Sequence, residues 1–234
     1  MKKMNRKFII LFLILFIILA FSISILFAKH TNHNTFSSKD KEKTNYEIQY
    51  MDSQIVSMAD SCGLSVDWQA LENKTNQFYH YWNSAILDLN TLEINKTILR
   101  DFGKDLDNLN IAIKNKNKQD TLTCLVTLYH SLIVFTDTLS SNDSEKNLLN
   151  TKYYLLMAYS VVENNNWTRT QEHLLKSDQY FLRIVNALDD SSYHPYNINQ
   201  AYIAIKELEN TILTQNLDLF YQKYQLTMEK LNKL

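Results

Sequence analysis

DWQALENKTNQFYHYWNSAILDL, residues 67–89, is the stretch on which the fold turns. Trp68, Leu71, Thr75, Phe78, Trp82, Ala85 and Leu89 recur at alternating spacings of three and four. That places them on one stripe of an α-helix, the pattern of a helix packed in a bundle. A half-buried strand would instead alternate apolar and polar residues with a period of two. Asp67 stands directly before the stripe, where a side-chain oxygen caps a helix N-terminus.

Working outward, the same periodicity fills the rest of the chain. Upstream, Ile48, Met51, Ile55, Met58 and Cys62 form a stripe that ends at Gly63, a residue suited to a helix C-cap. Downstream, Asn90-x-x-Glu93 reads as a capping box ahead of Ile94, Ile98, Phe102, Leu106, Leu109 and Ile113. Gly103 lies inside that stripe and marks a kink or a close helix contact. Residues 114–119 are a polar connector, and Asp120 caps a helix carrying Leu122, Leu125, Tyr129, Leu132, Thr136 and Leu139. Asn142-x-x-Glu145 opens the next, with Leu148, Leu149, Leu156, Tyr159 and Val162. Another begins at Trp167 and carries Leu174, Phe181, Ile184 and Leu188. After a break containing Pro195, a last helix starts near Ile198 and runs toward Lys233, its stripe drifting from Ile212 onto Leu213 and Leu217, which predicts a bend near Asn216.

Composition agrees. Gly occurs twice and Pro once in 234 residues, far below average usage, whereas an all-β chain needs both for its turns. The expected fold is therefore all-α: an antiparallel helical bundle of about seven helices, with a short helical-hairpin repeat as the alternative. Ala158-Tyr159 followed by Trp167 is similar in passing to tetratricopeptide hairpins. The Tyr-to-Trp gap is two residues too long for that pattern, and Thr170 and Ser177 stand where alanines belong.

Phe8 to Phe27 is uncharged over 20 residues, with Ser22 and Ser24 its only polar members. As a helix it spans roughly 30 Å, the thickness of a bilayer's hydrocarbon core. Lys2, Lys3, Arg6 and Lys7 precede it without an acid, so the N-terminus is expected inside and the remainder outside. The predicted organisation is a cytoplasmic tail (1–7), a transmembrane anchor (8–28), a flexible linker (29–45) and an extracytoplasmic helical domain (46–234). Ala20-Phe21-Ser22 could serve as a signal-peptidase site, which would make the domain secreted, but cutting there would leave Ile23–Phe27 exposed. The anchor and the Asn-rich composition, 25 Asn in all, resemble those of small single-pass envelope proteins of low-GC Gram-positive bacteria. That likeness transfers no residue roles.

Beyond the anchor stand 20 basic and 25 acidic residues, a net charge of −5. Bulk attraction for nucleic acid is thereby disfavoured. Cys62 and Cys124 lie in no CxxC pattern; they are either a disulfide pair or two thiols packed as small apolar groups. No Glu-x-x-His, H-E-x-x-H, P-loop or G-x-S-x-G motif is present, and two glycines could not build a phosphate loop. Neither metal nor cofactor is expected, nor enzymatic activity. The densest unusual feature is Phe78-Tyr79-His80-Tyr81-Trp82. Five rings in a row wrap more than one helical turn, so Phe78 and Trp82 belong to the stripe while Tyr79 and Tyr81 point elsewhere. Tyr79, His80, Tyr81 and Trp82 are accordingly the candidate contacts for a ligand or partner. The expected function is a membrane-anchored scaffold or protein-binding module of the bacterial envelope, with another envelope protein as partner. The alternative is a ligand sensor with an aromatic cleft, disfavoured by the seven residues before the anchor, which leave no room for an output domain.

Overall fold

In the computed structural model the described residues are 38–91, 95–139, 142–187 and 193–234. The anchor Phe8–Phe27, the tail before it and residues 29–37 of the linker lie outside them. The described residues form eight helices and no strand: α1 (Ser38–Asp60), α2 (Trp68–Thr91), α3 (Lys96–Lys114), α4 (Lys118–Leu139), α5 (Asp143–Val162), α6 (Trp167–Asn186), α7 (Pro195–Thr214) and α8 (Leu217–Leu231). None of these is long and apolar enough to cross a membrane.

The stripes become the core. Leu71, Thr75, Phe78, Trp82, Ala85 and Leu89 of α2 are all buried, as are Phe102, Leu106, Leu109 and Ile113 of α3. Trp82 packs against Phe102 with ring centroids 4.4 Å apart, and Phe102 against Phe135 of α4 at 5.3 Å. Burying one such ring stabilises by about 1.5–3 kcal/mol, so this three-helix aromatic cluster is a large local term.

Helix ends follow the chemistry of short polar side chains. Asp67 accepts from the Ala70 amide at 2.9 Å, as its position predicts. Asn142 accepts from the Ser144 and Glu145 amides, and Asn166 from that of Arg169. Other ends differ from the sequence reading. The cap of α3 is Asn95, accepting from Thr97, rather than Asn90, because α2 runs on to Thr91. At the start of α4, Asn117 accepts from the amide of Asp120, so Asp120 is capped rather than capping. Gly63 has no positive φ and ends no helix in the left-handed manner; its carbonyl accepts from Lys118 Nζ at 2.7 Å. Residues 38–45, read as linker, continue α1 as helix; the charged straight-chain residues there have good helix propensity.

The count of eight rather than seven comes from one place. Gln215 adopts φ 46°, and Asn216 accepts from the Leu219 amide at 2.9 Å. The predicted bend is thus a full break, with a new cap behind a left-handed residue. Leu213, placed on the continuing stripe by the sequence, is instead 85% exposed on the last turn of α7.

Sequential helices α3–α4, α5–α6 and α7–α8 share the most extensive contacts, as antiparallel hairpins do. Non-sequential contacts then tie the hairpins into a bundle. Tyr159 of α5 stacks on Tyr224 of α8 at 4.4 Å. Lys118 at the head of α4 donates to Gly63, to Glu163 at the end of α5 (2.6 Å) and to Tyr221 of α8 (3.4 Å). On α1, Ile48, Met51, Ile55, Val56, Met58 and Ala59 are all buried. This broad apolar face meets α2 through Met58 and Thr75, and α4 and α5 through Asp52.

Candidate functional site

Asp52 sits on the buried face of α1, one residue after Met51 and four after Ile48. A carboxylate there must be paired or it would cost several kcal/mol. Two partners supply the pairing. Lys152 of α5 donates to Oδ2 at 2.6 Å, and the Tyr129 hydroxyl of α4 donates to Oδ1 at 2.5 Å. Lys152 is 3% exposed and Asp52 9%. Burial first, and then the Asp52 charge, push the Tyr129 phenol well above its ordinary range, which keeps its proton on the oxygen and available to Asp52.

Asp52 and Lys152 of this triad line a cleft of about 590 Å³. Ile48, Gln49, Asp52 and Ser53 of α1 form one side, and Leu148, Leu149 and Lys152 of α5 the other. Asn142 and Glu145 at the start of α5, Tyr193, and residues 231–234 complete the lining. Burial and the nearby Glu145 push the Tyr193 phenol up to about 12, so at neutral pH it presents an uncharged hydroxyl. The cleft is amphipathic: Leu149, Leu231 and Ile48 are buried apolar walls, and the ion pair sets a polar floor. Its volume falls in the range of ligand pockets. A ligand reaching its floor would meet an acid and a base side by side, Asp52 and Lys152.

The five-ring run divides among three environments. Trp82 is buried in the α2–α3–α4 cluster. Tyr81 of α2 packs against α1, its ring 3.9 Å from that of Tyr50 and its hydroxyl donating to the Glu47 carbonyl at 3.5 Å. Tyr79 is half-buried and donates to Asp107 of α3, while His80 is exposed. None of Tyr79, His80, Tyr81 and Trp82 lines the cleft. Cys62 and Cys124 are free thiols, Cys62 buried and Cys124 half-buried. Among the described residues no group of three or more His, Cys, Asp or Glu side chains is placed to hold a metal ion.

Apolar periodicity alone does not single out Asp52, Tyr129 and Lys152, though their signal is in the sequence. Asp52 is an acid inside an apolar stripe, and Lys152 stands between Leu148-Leu149 and Leu155-Leu156. Two opposite charges each at an inward helix position are candidates for a buried pair. No protein-family model, curated protein or solved structure matches the chain.

Proposed function

We propose that this protein is a non-enzymatic binding module, held at the outer face of a bacterial membrane by Phe8–Phe27, which receives a ligand or an envelope partner in the cleft above Asp52 and Lys152. The observation that carries the reading is the cleft itself: about 590 Å³, amphipathic, and floored by a buried ion pair. Buried ion pairs add little net stability against apolar residues of the same volume, so one placed beneath an open cleft is better accounted for by recognition than by folding. The length of the apolar run and the four cations before it support the tether and its orientation. Tethering would raise the module's effective concentration at the membrane without any new contact.

Topology and partner can be read from one preparation. A cysteine introduced at the exposed Asn108 of α3, in a Cys124→Ser background, should react with a membrane-impermeant maleimide on intact cells. Chemical crosslinking of the same cells should co-purify a specific partner. Labelling that appears only after lysis would place the domain inside and overturn the reading.

A further inference from the structure

Resting on the reading of the cleft as a binding site, we infer that its floor takes a small uncharged ligand presenting a primary carboxamide. The Lys152 ammonium has three N–H donors, yet among the described residues it donates to Asp52 alone. Its side chain is 4% exposed, so bulk water reaches it poorly. Asp52 accepts one hydrogen bond on each oxygen and retains lone pairs, its side chain 12% exposed toward the cleft. Lys152 Nζ and Asp52 Oδ2, 2.6 Å apart, therefore offer a donor and an acceptor side by side. Buried donors of this kind require acceptors, from ordered water in the free protein or from a ligand.

The chemistry of the pair selects among ligands. A carboxylate offers acceptors only, and an ammonium or guanidinium donors only. Either would also bring a charge to a floor where Lys152 and Asp52 already offset one another, so that one member of the pair attracts it, the other repels it, and its desolvation is poorly repaid. The remaining ionic side chains of the lining, Glu145 and Lys233, are of opposite sign as well. A trans secondary amide points its carbonyl and N–H in opposite directions. A primary carboxamide carries acceptor and donor on one edge, without charge, and matches the pair. Ile48, Leu149 and the Tyr193 ring then meet the apolar body of the ligand. That body has two sources, a peptide-like amide or an aryl amide stacked on Tyr193.

The test is titration of the full chain in detergent micelles, followed by amide chemical shifts. N-acetylglutamine N-methylamide and benzamide are the two probes, and their carboxylate isosteres, N-acetylglutamate N-methylamide and benzoate, are the controls. At least one carboxamide should bind about tenfold or more tightly than its isostere, with shifts centred on residues around Lys152. Whichever probe binds better identifies the source. Ser53→Trp, on the exposed rim of the cleft, should abolish these shifts while leaving the melting temperature unchanged. Isosteres that bind as tightly, shifts that survive Ser53→Trp, or no binding by either carboxamide would each overturn the inference. If carboxamides fail while impermeant labelling at position 108 still places the domain outside and a partner is captured, only the ligand class falls.

Discussion

Lys152 and Asp52, 100 residues apart in sequence, meet at 2.6 Å with neither exposed beyond a tenth of its surface. The pair joins α1 to α5, and Tyr129 adds α4. Removing one member leaves the other as a buried unpaired charge. Lys152→Met should therefore destabilise by about 3–5 kcal/mol. The triple change Asp52→Leu, Lys152→Met, Tyr129→Phe strands no charge and no hydroxyl, and should recover most of that loss. Thermal unfolding followed by circular dichroism measures both. A triple variant as unstable as the sum of its parts would contradict this account of the floor.

At the α7–α8 break, Gln215 sits at φ 46°. A side chain with a Cβ resists that conformation by about 1–2 kcal/mol, and glycine does not. Gln215→Gly should raise stability, partly offset by the greater freedom of glycine in the unfolded chain. Gln215→Val should lower it. The same melts, run on both variants, give the sign.

Gly103 reads from the sequence as a kink or a close contact. In the structure α3 continues through it, and a Cβ built there would meet Trp82 Nε1 at 3.5 Å, an ordinary packing distance. Gly103→Ala should thus gain up to about 1 kcal/mol of helix propensity without displacing Trp82. Loss of stability, or a changed tryptophan emission, would show that the space is tighter.

The two thiols should behave differently. Burial pushes the Cys62 thiol up to about 12, against the opposing effect of Lys118. The Cys124 thiol is also raised, by burial and by Asp120, but is half-buried. Only the thiolate alkylates, so a raised thiol pKa means less of the reactive form at pH 8 and a steeper gain as pH rises. Iodoacetamide at pH 8 should modify Cys124 first and Cys62 only on unfolding, with two thiols titrated in denaturant and no reductant. A single modified thiol with none added by denaturant, or a disulfide by mass spectrometry, would contradict this.

What was legible in the sequence was whatever depends on periodicity. The three-four spacing from Trp68 to Leu89 gives a buried face because a helix repeats every 3.6 residues. Asn142 caps a helix because its short side chain reaches the orphan amides, and Asn166 does the same at a position the periodicity does not single out. The break at Gln215 was visible only as a drift in the stripe from Ile212 to Leu217, since a left-handed residue other than glycine leaves no mark in composition. The site was harder to see because it is assembled from α1, α4 and α5. Periodicity puts Asp52, Tyr129 and Lys152 each on an inward face, but only tertiary packing shows that three inward polar groups meet. Within the five-ring run Tyr79, Tyr81 and Trp82 meet separate neighbours, Asp107, Tyr50 and Phe102, and His80 is exposed.

Site-specific photo-crosslinking in intact cells shows whether the cleft is where this protein binds. A photoreactive amino acid at Ser53, on the cleft rim, is compared with one at Asn108, exposed on α3 and outside the lining. A discrete adduct is expected at position 53, absent at position 108 and lost when Leu149→Trp fills the cleft. Equal adducts at the two positions, or an adduct at 53 indifferent to Leu149→Trp, would show that the cleft is not where this protein binds.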